Sequence, residues 1–176
     1  MIDSFGRPDW DAWFITICTL VAQRSLDPHT KHGCVVIDAD RTILSLGYNG
    51  PPRGCNDEDI PLTRPEKYKY MSHAEVNAIT NAARSGVSLK GSTFYVTGMP
   101  CQDCFRHILN VGARRIVYGV VGSVCIKPED EEAITRMNAN GRIEFVRLDN
   151  TDEIFELLDT TGAYIRRKID ESLASQ

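Results

Sequence analysis

Short apolar runs alternate with amphipathic stretches along most of this chain, and that order limits its fold more than any other feature. The first two runs, CVVID and TILSLGY, are separated by residues 39–41, which predicts a β-hairpin. The later runs TFYVT, RIVYGVV and IEFVRL each follow a stretch with helical spacing of apolar residues. A hairpin followed by alternating helices and strands predicts an α/β fold, a three-layer α-β-α sandwich around a mixed sheet of about five strands.

The helical stretches have ends that the sequence marks. Residues 9–23 carry apolar side chains at helical spacing and form the first predicted helix. A second is expected from Ser72 to about Arg84, ended by Gly86, and a third from Pro100 to about Val111. A fourth covers PEDEEAITRMNAN, and the tail from about residue 150 is expected to be mostly helical, with the glycine at position 162 as a candidate interruption.

Composition narrows the class of protein. The chain has 176 residues, 42% apolar and 25% charged, which predicts one soluble globular domain over residues 1–176. Its net charge of -4 argues against binding to nucleic acid, because a phosphate backbone requires a basic face. No run approaches the ~20 apolar residues of a membrane span, so no membrane partner is expected. Six cysteines without a secretory leader predict reduced thiols and a cytoplasmic location.

The stretch SHAEVNA begins the second predicted helix and allows two interpretations. Ser72 and Glu75 have the spacing of a capping box, in which two side chains satisfy the free amides of a helix start. Alternatively, His73 and Glu75 belong to a metal site. The decision rests on what lies elsewhere in the chain.

The stretch PCQDC favours the metal site. Cys101 and Cys104 lie one turn apart on one side of the third predicted helix, where the helix start favours thiolates. One strand separates this helix start from that of His73, so a right-handed passage brings the two ends together. Three ligands with an open fourth position are typical of catalytic zinc. A closed structural site would need a fourth ligand, and the candidates without motif spacing are Cys34, Cys55, His29 and His32.

Glu75 supplies the remaining chemical group. A carboxylate on the first turn beside a metal ligand can take a proton from water and pass it on without ligating the metal. His-x-Glu followed by Pro-Cys-x-x-Cys is the signature of zinc-dependent nucleobase deaminases, and the chain matches it fully. Zinc held by His73, Cys101 and Cys104, with Glu75 as the catalytic acid and base, is therefore the predicted site.

The chain resembles the deoxycytidylate (dCMP) deaminase family, within the cytidine deaminase-like superfamily. The resemblance rests on AQRSLDPHTKHGCVVID, GYNGPPRGC, HAEVNAI and PCQDC. It implies hydrolysis of dCMP to dUMP and ammonia, which would feed dTMP synthesis, with one zinc ion per subunit. Two alternatives stay open: another zinc deaminase, acting on dCTP, tRNA adenosine or a free base, and a non-enzymatic module stabilised by zinc.

The resemblance also implies binding residues. Asn49 would contact the sugar of the substrate, and Arg24 and Ser25 would meet its 5′-phosphate, whereas Lys31 fits a solvated loop better. The GYNGPPRGC region, with Asn49, Gly50, Arg53 and Gly54, would help bind a nucleoside triphosphate together with Mg²⁺, so that dCTP activates and dTTP inhibits. Relatives of this kind form homohexamers.

One region departs from the family pattern. Where relatives often carry a stretch like KYHD after the fourth strand, this chain reads VYGVVGSVCIKPED, so contacts to the base and phosphate from that side are in doubt. Tyr118 is expected within the strand and Cys125 as a buried thiol.

Some relatives bind a second, structural zinc ion in the loop before the catalytic His. That loop has one cysteine here, Cys55, and no histidine, so no second zinc is expected.

Overall fold

The computed structural model describes residues 4–5, 7–119, 127–149 and 151–174. Along these ranges five α-helices and five strands follow the predicted order, α-β-β-α-β-α-β-α-β-α. The helices are α1 Trp10–Ala22, α2 Ala74–Arg84, α3 Gln102–Asn110, α4 Pro128–Met137 and α5 Thr151–Ala174. The strands are β1 Gly33–Ile37, β2 Ile43–Tyr48, β3 Thr93–Val96, β4 Arg115–Gly119 and β5 Glu144–Leu148.

The strands form one mixed sheet in the order β2-β1-β3-β4-β5. β1 is antiparallel to both of its neighbours, β2 and β3, whereas β3, β4 and β5 are parallel. β1 and β2 are the predicted hairpin, and Arg41 in its turn has a positive φ of 68°. Because β2 and β3 both run opposite to β1, their carboxyl ends lie at one edge of the sheet, beside the beginning of β1.

Helices cover both faces of this sheet, because successive side chains of each strand point to opposite sides. On one face, Val35, Ile37, Tyr95 and Val117 pack with apolar residues of α1 and with Ile154 of α5. On the other face, alternate strand residues pack with α2, α3 and α4. This second cluster includes Cys34, Val36, Ala78, Phe94, Val96, Phe105, Ile108, Ile116 and Ile134. The predicted three-layer α-β-α sandwich is therefore confirmed.

A glycine in β2 allows α2 to lie directly on the sheet. A Cβ atom at Gly47 would be 2.4 Å from the carbonyl oxygen of Ala74 and 2.4 Å from the amide nitrogen of Ala78. Asn77 strengthens the same contact, since its Nδ2 donates a hydrogen bond to the carbonyl oxygen of Tyr48 over 2.8 Å. The amino end of α2 is thereby held at the carboxyl end of β2.

The long segment between β2 and α2 returns to the point where it leaves the sheet. The amide of Gly50 donates to the carbonyl oxygen of Ser72 over 3.1 Å, and the amide of Ser72 donates to that of Gly50 over 2.8 Å. Between these residues the segment forms short 3-10 turns at Asp57–Asp59 and Glu66–Lys69. Residue 73 therefore follows directly after a closed loop.

Some local expectations are confirmed and others are wrong. Tyr118 lies within β4, and Gly86 follows α2 with a φ of 66°. The glycine at 162 does not interrupt the last helix, because α5 is continuous through it. Cys125 lies outside the described residues. The described cysteines are free, and none of the described helices combines the length and apolar character that crossing a membrane requires.

Candidate metal centre and nucleotide cavity

Two helices begin side by side at the sheet edge where β2 and β3 end. His73 is the residue before α2 and Cys101 is the residue before α3, both with extended backbone angles (φ -72°, ψ 158° and φ -71°, ψ 167°). Neither side chain hydrogen-bonds to its own helix start. The two side chains point at each other instead, and Cys104 joins them from one turn further along α3.

The spacing of these three side chains fits a zinc ion. His73 Nδ1 lies 3.4 Å from Cys101 Sγ and 3.3 Å from Cys104 Sγ, and the ligand atoms all lie within 4.8 Å of one another. Around tetrahedral zinc, bond lengths of about 2.0–2.1 Å to nitrogen and 2.3 Å to sulfur separate the two ligand atoms by about 3.6 Å. The predicted ligands His73, Cys101 and Cys104 are thus brought together in a set of donors that zinc prefers.

The proposed fourth ligands do not join this group. Within the described ranges, no other His, Cys, Asp or Glu side chain completes a cluster with these three. Cys34 is buried in β1, where its thiol has a pKa raised by burial. His32 Nδ1 instead pairs with Thr97 Oγ1 over 3.1 Å. A set of three ligands leaves a coordination position open for water or substrate.

Hydrogen bonds among His73, Cys101 and Cys104 favour the thiolate form of Cys101. A hydrogen bond with Cys104, aided by one with His73, lowers the pKa of Cys101 to about 4. The same hydrogen bond with Cys101, together with burial, raises the pKa of Cys104 far above its ordinary value. The hydrogen bond to Cys101 also raises the pKa of His73. Because zinc binds the thiolate form of cysteine, its binding would release the proton held by Cys104.

Glu75 lies beside the ligands and is 5% exposed. Burial is the largest influence on its carboxyl group and raises its pKa above the ordinary value. A buried carboxyl with a raised pKa holds a proton more readily and can return it to a reacting group. The capping-box interpretation is wrong, because the helix begins at Ala74 and Ser72 pairs with Gly50 instead.

A cavity of about 660 Å³ adjoins this group, which is a typical size for a small-molecule site. His73, Glu75 and Cys101 contribute one part of its lining. A second set of residues comes from three separate segments of the chain. This second set, called here the recognition wall, consists of Asp27, Thr30, His32, Asn49, Arg64 and Lys67.

Asn49 is the predicted substrate residue that the structure places in this cavity. Its amide also holds the neighbouring loop, since Oδ1 accepts the amide of His32 over 2.7 Å and Nδ2 donates to the carbonyl oxygen of Thr30 over 2.9 Å. Asn49 thus fixes part of the recognition wall as well as facing the cavity.

Arg24 and Ser25 lie elsewhere. They line a second cavity, of about 1040 Å³, together with Arg53 and Gly54 from the GYNGPPRGC region and with Arg84 of α2. The lining of the first cavity begins two residues later, at Asp27, whose amide donates to the hydroxyl oxygen of Ser25 over 3.2 Å. The lining of this second cavity therefore combines residues expected at the substrate with residues expected at the effector.

Sequence reasoning missed most of the recognition wall. Asp27, Arg64 and Lys67 belong to ordinary loop compositions, and their partners lie 34 or 40 positions away in the chain. The available signal was the length of the irregular segment before His73, because such long loops in compact proteins are usually functional.

Comparison with protein families agrees with the geometry. Residues 8–120 match the family model of the cytidine and deoxycytidylate deaminase zinc-binding region, which is more than half of the chain. The match includes the three zinc-type ligands and Glu75.

Individual relatives carry the same description. Human deoxycytidylate deaminase is 34% identical over 116 residues, which cover 62% of this chain and 64% of the human protein. Deoxycytidylate deaminase from Mycobacterium phage D29 is 39% identical over 126 residues, covering 64% of this chain and 96% of the phage protein. The match therefore spans somewhat less than two thirds of the human relative.

A solved structure shares the fold. Crystals of dCMP deaminase from the cyanophage S-TIM5 in complex with dCMP and dUMP contain a chain that is 25% identical to this one. The two superpose with a TM-score of 0.61 over 81% of this chain and 98% of the phage chain.

Proposed function

Because the chain belongs to the cytidine and deoxycytidylate deaminase family, we propose that it catalyses the hydrolytic deamination of dCMP to dUMP and ammonia. The observation that carries the proposal is the buried carboxyl of Glu75 beside the His73, Cys101 and Cys104 donors, at a cavity of about 660 Å³. The choice of dCMP is supported by two relatives of that activity and by the phage protein that binds dCMP and dUMP.

His73, Cys101 and Cys104 would hold the zinc ion through one ring nitrogen and two sulfur atoms. Zinc bound by these residues would lower the pKa of water toward ~7 and so supply the nucleophile at neutral pH. The cavity is next to these residues, since His73 and Cys101 both line it.

Glu75 moves the protons in this mechanism. Its carboxylate takes a proton from the attacking water and gives it to N3 of cytosine, while the oxygen of the water bonds to C4. It then carries the remaining hydroxyl proton to the exocyclic nitrogen, so that the C4–N4 bond breaks and ammonia leaves. Burial supports both steps, because a carboxyl whose pKa is raised binds the proton long enough to deliver it.

The recognition wall would bind the sugar and phosphate. Asn49 offers its amide to the sugar. Arg64 is the residue that we assign to the 5′-phosphate, in place of Arg24 and Ser25, because it lines the first cavity and they line the second. Its Nη2 donates to Thr30 Oγ1 over 3.1 Å, and within the described residues it forms no ion pair, so its charge is available to an anion.

The second cavity suits an anionic effector. Arg24, Arg53 and Arg84 contribute three guanidinium groups to its lining, and Gly54 leaves space near the backbone. These features support the expectation that dCTP with Mg²⁺ activates the enzyme and dTTP inhibits it. Of the four residues expected at the effector, Arg53 and Gly54 line this cavity, whereas Asn49 lines the first cavity and Gly50 lines neither.

Three further expectations belong to this proposal. The enzyme would assemble as a homohexamer, supply dUMP for dTMP synthesis and work in the cytoplasm. They are supported by the family resemblance alone.

The test is dUMP and ammonia release by the purified protein loaded with zinc. We expect turnover of dCMP, and little or none of dCTP, cytidine or RNA containing adenosine. Addition of dCTP-Mg²⁺ should raise the rate and dTTP-Mg²⁺ should lower it. Turnover of another substrate in preference to dCMP would contradict the assignment, and a rate that neither triphosphate changes would remove the effector site.

A further inference from the structure

A buried ion pair lies in the recognition wall, apart from the groups that the mechanism uses. Lys67 is 2% exposed, and its Nζ lies 2.5 Å from Oδ2 of Asp27, whose side chain is 5% exposed. Both residues line the first cavity. Nothing in the proton transfers described above requires either of them.

Asp27 connects this pair to the loop before β1. Its Oδ1 accepts the amide of His29 over 2.9 Å and the amide of Thr30 over 3.2 Å. These two hydrogen bonds, with the one from Lys67, hold the carboxylate in one orientation. They also lower its pKa despite its burial, so it carries a negative charge at neutral pH.

Thr30 then connects the Lys67–Asp27 pair to Asn49 and Arg64, the two residues assigned to the substrate. Its carbonyl oxygen accepts Asn49 Nδ2, and its hydroxyl oxygen accepts Arg64 Nη2. Three segments that are distant in sequence thus meet at one point of the cavity: residues 27–32, the end of β2, and the turn at 64–69.

We propose that Lys67 and Asp27 form a positioning pair that sets the recognition wall, so that Asn49 and Arg64 meet the nucleotide in the correct geometry. The inference rests on the proposed function of the cavity. The pair acts through Thr30 and its neighbours, and not on the reacting atoms. Its loss should therefore weaken substrate binding while leaving the zinc ligands and Glu75 unchanged.

Stability alone is a poor explanation for this pair. Two charges removed from water bring little net stability, and neutral replacements of similar volume are often tolerated. A charge-assisted hydrogen bond does, however, fix geometry more strictly than a neutral contact. The distinction can be measured, because a stability role affects unfolding and a positioning role affects KM.

The first test compares Lys67→Met with Lys69→Met, a control in the same turn whose lysine is exposed and pairs with Glu66. For Lys67→Met we expect KM for dCMP to rise about ten- to hundredfold, the scale of one lost charged hydrogen bond, with kcat within about threefold and zinc content unchanged. Lys69→Met should match the wild type. Equal KM values for both variants would overturn the proposal.

The double variant Lys67→Met/Asp27→Asn covers the case in which Lys67→Met fails to fold, because it leaves no unpaired buried charge. It should unfold near the wild-type temperature and still show the raised KM. A folded double variant with wild-type KM would overturn the proposal.

A readout without substrate separates this inference from the proposed function. Hydrogen exchange of the amides at His29 and Thr30 should be faster in Lys67→Met than in Lys69→Met. If the wild-type protein does not deaminate dCMP, the proposed function fails. Faster exchange in Lys67→Met would still support the positioning role of the Lys67–Asp27 pair. Unchanged exchange at these amides would contradict the positioning role, whether or not the protein deaminates dCMP.

Discussion

At the scale of single residues, Glu75 illustrates how position sets reactivity. The same residue type is abundant on the surface, but at position 75 it is buried against two thiols and an imidazole, and burial raises its pKa. Cys101 and Cys104 show the same principle, because a shared hydrogen bond shifts their pKa values in opposite directions. The chemistry of the site therefore depends on the two helix starts that place these side chains together.

Replacing Glu75 tests the proton transfers. In Glu75→Gln we expect kcat to fall by about 10²- to 10⁴-fold, because the amide cannot carry protons, while zinc content and unfolding temperature stay near wild type. Turnover of dCMP and metal analysis give the two readouts. Glu66→Gln, on an exposed carboxylate in the preceding turn, is the control. Near-wild-type turnover in Glu75→Gln would refute the mechanism.

Replacing Arg64 tests recognition of the phosphate. Arg64→Met should raise KM for dCMP by about ten- to hundredfold, since a charged hydrogen bond is lost. Deoxycytidine has no phosphate, so its kcat/KM should hardly change. Arg142→Met, on an exposed arginine, serves as the matched control. A loss of equal size for both substrates would show that Arg64 does not contact the phosphate.

The sequence was sufficient to predict that His73, Cys101 and Cys104 meet, and insufficient to predict the recognition wall, for a physical reason. Cys101 and Cys104 share a helix face by local geometry, and a single strand separates their helix start from His73. The contacts of Lys67 with Asp27 depend instead on how a long loop folds back across the sheet edge. Local spacing carries no information about such contacts.

At the scale of elements, the packing of α2 on β2 is the main determinant of the site. The helix carries His73 and Glu75 at its start, and its side from Val76 to Arg84 lines the second cavity. The start itself was misplaced by two residues in the sequence prediction, because the backbone of Ser72 pairs with Gly50 before the helix begins. The glycine at 162 was expected to interrupt the last helix, but α5 continues through it. Its cost of about 1 kcal/mol is small in a helix of 24 residues.

The contact between α2 and β2 predicts the effect of a single methyl group. Gly47→Ala would place its Cβ 2.4 Å from backbone atoms of Ala74 and Ala78, so α2 must shift. We expect a loss of about 1–3 kcal/mol or more in the free energy of unfolding, and lower zinc content. Urea unfolding and metal analysis measure both.

The matched control for this change is Gly50→Ala. Its added Cβ meets only the side chain of Tyr48, at 3.5 Å, and should be tolerated. A Gly47→Ala protein as stable and as rich in zinc as Gly50→Ala would contradict the packing argument.

At the scale of the whole molecule, one polar network ties α1 to two strands of the sheet, on the face opposite α2. Both terminal guanidinium nitrogens of Arg115 donate to the carboxylate of Asp11 over 2.8 Å, and the hydroxyl of Tyr95 donates to it over 2.7 Å. Asp11 lies in α1, while Arg115 and Tyr95 lie in β4 and β3. The order of the elements was predictable, but this link between them was not, because Asp11 and Arg115 are residue types that also fit a solvated surface.

This network gives a defined dependence of stability on pH. Burial opposes the ionisation of Asp11, but hydrogen bonds from Arg115 and Tyr95 outweigh it and hold its pKa below the ordinary value. The stabilisation is therefore fully present above about pH 4 and is lost as the pH falls through the lower, folded-state pKa. Asp11→Asn should be less stable than wild type by about 1–3 kcal/mol at pH 7, and the difference should shrink in acid.

Urea unfolding across this pH range measures the effect. Asp40→Asn, on an exposed carboxylate in the hairpin turn, is the control and should follow the wild-type curve. A difference between Asp11→Asn and wild type that is constant with pH would show that the carboxylate is not the group responsible.

The pair of hydrogen bonds between Gly50 and Ser72 has a consequence for how such a protein can diversify. Because both ends of the loop are fixed to each other, its interior can gain, lose or exchange residues while His73 keeps its place, and the entropy cost of added length grows slowly. Arg64 and Lys67 belong to that interior. The loop is thus a modular insert, and grafting it from a relative would change the lining of the first cavity while His73, Glu75, Cys101 and Cys104 keep their places.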